Sequence, residues 1–282
     1  MVMHKVPRHV GQRAAAEPGR KVSMMSPSMQ ATVLKYVLEL SPEARGRVVA
    51  YFSKEVEEFA FLAAKITETL QRYHAQNPKH DENNPKQVAF ALMTKGANTL
   101  MAGFEIVLTG YMWEPPILFR SALEGFAVAW DLVHNEPRFT TWKARKTFES
   151  TDSISNLKKA IEPVGKMYGF LSNMHVHTGP LNSSPPMLLV GEEQKFQFFG
   201  LLSPGKERLR KGEVHFALLT VHVCLQLTEL VFHNYSSGLE TIEKIPGTDL
   251  VQTIVSQRHR PFVDAALEHF KLMSQDPGAC LQ

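Results

Sequence analysis

PPILFRSALEGFAVAWDLVH, residues 115–134, is the stretch whose reading decides the fold. Neither Pro115 nor Pro116 can donate to a helix ladder arriving from upstream, so a new helix must begin there. Leu118, Leu123, Phe126, Val128 and Trp130 then repeat as an apolar rod that runs to about His134. Arg120, Glu124 and Asp131 follow at intervals of four and seven, which puts all three on one side of that rod. Charges in such company need partners. Arg120 and Glu124 are one turn apart and can pair with each other, as a structural ion pair at a bundle margin or as part of a site.

Working outward, the same helical punctuation recurs in both directions. Upstream, Asn84 and Pro85 open a helix to about Leu108, and a polar loop over 77–84 precedes it. Ser41, Pro42 and Glu43 form a helix start, and no proline follows until Pro78. One rod of about 50 Å is therefore expected from Ser41 to about Gln76, at 1.5 Å per residue. Met29, Val33, Leu34, Val37 and Leu38 mark an earlier amphipathic helix. Downstream, Asn135 and Pro137 end the central rod. A short helix is expected over 138–148, with Lys143, Arg145 and Lys146 as a solvated face. Helices over 150–161 and 166–175 follow, the second stopped by Thr178, Gly179 and Pro180. Apolar runs at 187–190 and 196–199 flank Gly191 and predict a small β-hairpin or loop insertion near 185–200. Strong helix resumes over 206–235, and a last helix over 248–273 is expected to bend at Pro261.

The expected fold is thus all-α, a helical bundle of about seven to eight helices. Residues 28–275 form its single domain, with a disordered basic leader over 1–27 and a tail over 276–282. The leader has Lys5, Arg8, Arg13, Arg20 and Lys21 against Glu17 alone and lacks the apolar core of a secretory signal. Hydrophobic residues make up 44% of the 282 and charged residues 21%, the balance of a globular chain able to bury its own core. A net charge of +3 is too small for the whole molecule to act as a polyanion binder by its overall field. The two cysteines, Cys224 and Cys280, offer no disulfide framework, which points to a reducing compartment, the cytoplasm. The most apolar run, 216–232, is interrupted by His222, Gln226 and Glu229, so a buried bundle helix is expected and no membrane partner.

Several constellations could carry chemistry. His215, His222, Gln226, Glu229 and His233 form a polar stripe along 206–235, either a solvated or interface stripe or part of a metal set. A bundle di-metal site needs two Glu-x-x-His units, and the nearest match is 131–134, which begins with Asp, so no metal or other cofactor is expected. His175 and His177, separated by Val176, would point the same way in an extended segment, a zinc-like geometry without a neighbouring third ligand. Ser172 lies one turn before His175, where a hydroxyl and an imidazole can meet, in a capping or core role or as a nucleophile pair. Phosphate-binding loops, dinucleotide fingerprints and hydrolase elbows do not occur.

Gly110 and Tyr111, then 118–124 (LFRSALE), and later 168–177 (YGFLSNMHVH) together resemble a family of helical bacterial proteins grouped with the HEPN superfamily and with abortive-infection proteins. The resemblance covers the region 85–180. It implies a shared polar, catalytic centre of Arg120, Glu124, Tyr168, Ser172 and a histidine. The family histidine falls four places after the serine; Val176 stands there, so His175 and His177 both remain candidates. HEPN ribonucleases use an arginine followed four to six residues later by histidine, a pattern that Arg210 with His215, and Arg208 with His215, both fit. Arg208, Arg210 and Lys211 form a basic cluster at a helix start, where a phosphate contact is expected.

These features lead to a helical binding or interaction protein, placed by the resemblance in bacterial stress or phage defence, with a homodimer and RNA as expected partners. The alternative is a metal-independent HEPN-type ribonuclease with His215 or His175 as acid-base residue. A metal-dependent hydrolase using His175 and His177 comes third.

Overall fold

A computed structural model of the chain describes residues 39, 41–109, 114–144, 148–175, 205, 207–235, 242–244 and 251–253. Among them are eight α-helices: α1 (Ser41–Tyr51), α2 (Ser53–Gln76), α3 (Pro85–Thr109), α4 (Glu114–His134), α5 (Glu136–Lys143), α6 (Ser150–Ala160), α7 (Glu162–His175) and α8 (Lys211–Phe232). Short 3-10 turns, Glu207–Arg210 and His233–Tyr235, flank α8. The all-α bundle is therefore the observed class. The leader, the helix over 29–38, the insertion near 185–200, His177 and the tail lie outside the described residues.

The rod expected from Ser41 to Gln76 is divided at Phe52, whose backbone leaves the helical region at φ −108° and ψ 33°. The ladder nonetheless runs through the break, because Phe52 N donates to Val48 O and Val56 N to Phe52 O, both at 2.9 Å. Phe52 is 3% exposed, so the bend seats its ring in the core. Asn84 begins α3 as its sequence predicts: its side-chain oxygen accepts from Lys86 N at 3.0 Å. Asn135 does the same for α5, accepting from Arg138 N ahead of a short helix that ends at Lys143 rather than near Phe148. The helix expected over 248–273 is corrected at its start, because Val251–Thr253 is a strand paired antiparallel with Ile242–Lys244. Val251 and Thr253 are β-branched, and pairing with Ile242–Lys244 outweighs the helical spacing of their own segment.

Helix α4 is the hub, packing against α3, α5, α6, α7 and α8. Its closest approach is to α3, which runs antiparallel to it. A Cβ on Gly96 would come within 2.7 Å of the Phe126 ring, and one on Gly103 within 2.8 Å of the Phe119 ring. Those glycines let two fully buried rings lie directly on the α3 backbone. Helix α8 packs on α2, α4 and α3 and is buried on nearly every side. By length and composition α8 could cross a membrane, but 89% of its apolar window is buried within the bundle, as a core helix requires. Asn77, at the end of α2, donates from Nδ2 to the Tyr235 hydroxyl at 3.2 Å and so ties the far end of α8 to the α2–α3 loop.

Candidate functional site

The polar side of α4 is met by α7 and then α6, in reverse chain order. Arg120 Nε donates to Glu124 Oε1 at 3.1 Å, across one turn of α4. From α7, the Tyr168 hydroxyl accepts from Arg120 Nη2 at 2.9 Å and donates to the same Glu124 Oε1 at 2.6 Å. The three groups close a ring. The side edge of the guanidinium, Nε and Nη2, grips an oxygen pair that is itself hydrogen-bonded. The guanidinium carbon also lies 5.1 Å from the Tyr168 ring centre. The Arg120 and Glu124 side chains are 22% and 24% exposed, so the ring sits at the bundle margin and opens to solvent.

Burial, and then the hydrogen bond to Glu124, push the Tyr168 hydroxyl above the usual phenol range. For Arg120, burial works toward a lower pKa, but the Tyr168 hydroxyl and the Glu124 charge together outweigh it and hold the guanidinium more firmly charged. Ser172 shares the Tyr168 face of α7 one turn further on. It is 9% exposed, and its Oγ makes no hydrogen bond among the described residues. A buried hydroxyl left in that condition costs about 1–3 kcal/mol. Gly169 lies about 100° round α7 from Tyr168, and a Cβ there would meet nothing within 4 Å. His175 is the last residue of α7.

Asp131, placed by spacing on the same side of α4, belongs to a second network. Its Oδ2 accepts from Arg138 Nε at 3.1 Å and Ser153 Oγ at 2.8 Å, and its Oδ1 accepts from Asn156 Nδ2 at 3.1 Å. Arg138 continues to Asp152 and to the Glu149 carbonyl, and stacks 4.0 Å from the Phe148 ring centre. This clasp joins α4, α5 and α6. Sequence reasoning gave Arg138 no role, and its only signal was a lone arginine just after the Asn-Glu-Pro helix start.

The basic cluster before α8 is divided by the fold. Arg208 and Lys211 are exposed, whereas Arg210 is 0% and His215 4% exposed. Burial pulls the Arg210 pKa down, opposed by the charges of Glu213 and Glu114. Three members of the α8 stripe are internal, His215, His222 at 6% and Glu229 at 1% exposed, whereas Gln226, whose Nε2 lies 3.2 Å from His222 Nε2, is half-buried and His233, just past α8, is exposed. The reason is that α8 is the core helix, so most of its polar side faces other helices. Among the described residues no three His, Cys, Asp or Glu side chains gather where a metal ion could be held. Comparison with protein-family models, curated proteins and solved structures gives no match for this chain.

Proposed function

We propose that this chain is a helical binding protein and that its binding centre is the α4–α7 margin. The observation that carries the reading is the closed Arg120, Glu124 and Tyr168 ring. It fixes a charged side chain in one orientation at a partly exposed position, which is what recognition requires. Bacterial stress or phage defence and pairing of two copies belong to the same proposal through the resemblance to HEPN and abortive-infection proteins, and a cytoplasmic setting through the cysteine usage. A ribonuclease acting through Arg210 and His215 is less well supported, because an imidazole must reach the RNA 2′-hydroxyl and His215 is buried.

The test is direct. Full-length protein incubated with single-stranded RNA in EDTA is expected to leave it intact. Cleavage that His175→Ala abolishes would replace binding with catalysis. Cleavage appearing only with added zinc or manganese would favour the metal-dependent hydrolase.

A further inference from the structure

Resting on that reading, we infer that the α4–α7 centre binds an oxyanion, a phosphate or carboxylate group, through the end-on fork of Arg120. A guanidinium has five N–H donors in fixed directions. Two of them, at Nε and Nη2, are engaged on the side edge by Glu124 and Tyr168. No described residue takes the others, which lie on Nη1 and on the outer side of Nη2. That outer pair is the geometry that grips two oxygens of a carboxylate or phosphate in parallel.

The surroundings fit this assignment. Glu124 would repel an anion if its charge faced the fork, but its Oε1 is engaged on the adjacent side edge, where it already accepts from both Arg120 and Tyr168. The same two bonds keep the guanidinium from rotating, so a ligand meets a fork already oriented. The Ser172 hydroxyl, nine-tenths buried one turn along α7 from Tyr168, has no hydrogen-bond partner among the described residues and would supply a second donor.

The experiment is calorimetric titration of the full-length protein with inorganic phosphate and, separately, with acetate, each at ionic strength held constant with chloride. Saturable binding of at least one is expected. Arg120→Lys keeps the charge but loses the fork, and should bind about tenfold more weakly or worse. Lys158→Ala, an exposed lysine on α6, should bind as the unaltered protein does. Saturation by phosphate alone, acetate alone or both assigns the source and sustains the proposal. No saturation by either anion overturns it, and so does equal affinity in Arg120→Lys. If circular dichroism shows Arg120→Lys unfolded, Ser172→Ala decides instead: several-fold weaker binding is expected, and unchanged affinity overturns the proposal. Loss of anion binding with RNA still intact in EDTA would remove this inference alone, whereas RNA cleavage would remove the binding reading beneath it.

Discussion

The Asp131 carboxylate is 1% exposed and accepts from Arg138, Ser153 and Asn156 together. Removing one donor of such a set leaves a charge buried with too few partners, which is more damaging than never having had the pair. Arg138→Ala is therefore expected to destabilise the fold by about 3 kcal/mol, measured by urea unfolding; a loss below about 0.5 kcal/mol would mean the clasp contributes little. Tyr168 makes a prediction of a different kind. Its folded pKa lies above the ordinary phenol value, so its protonated form is favoured by folding. That contribution is complete below the unfolded pKa of about 10 and disappears as pH rises through the higher folded value. Stability should thus fall on the alkaline side above about pH 10, and Tyr168→Phe should flatten that fall while lowering neutral stability by about 1 kcal/mol. Tyr73, which burial also pushes up, leaves a residual slope in the variant. An unchanged alkaline limb in Tyr168→Phe would contradict the described ring.

At the scale of the element, the α3–α4 contact depends on what is missing from α3. Alanine at Gly96 would improve helix propensity by about 1 kcal/mol, yet its Cβ would press on Phe126, a ring with 0% exposure and no room to retreat. Overpacking of this kind costs about 1–3 kcal/mol. Gly96→Ala is accordingly expected to lower the thermal midpoint, and Gly46→Ala, where a Cβ meets nothing within 4 Å, to leave it equal or higher. Equal midpoints in both would show that α3 and α4 are not so closely packed. Helices were legible wherever punctuation and periodicity agreed, as at Asn84 with Pro85 and at Pro115 with Pro116. They were misjudged where a tertiary demand acted against local pattern. The Phe52 bend serves the core and leaves no mark in the sequence, and the strand at Val251–Thr253 reflects pairing with Ile242–Lys244 that no spacing within one segment reveals.

At the scale of the molecule, which polar groups face solvent depends on which helix occupies the centre. The stripe on α8 has the spacing of a surface face, and only the surrounding helices make His215, His222 and Glu229 internal; spacing tells which residues share a side, not what lies opposite. The α4 side was more legible because its charges stand out on an apolar rod, and the resemblance added Tyr168 as the group to look for. What the chain alone could not supply was the division of that side into two networks, one open at Arg120 and one sealed at Asp131. Arg120 and Tyr168 are where α4 and α7 meet at the open margin. A double-mutant cycle on unfolding free energy, using Arg120→Met, Tyr168→Phe and the pair, measures that meeting directly. Coupling of about 0.5–3 kcal/mol is the predicted result, and single-variant effects that simply add, with no coupling, would contradict it.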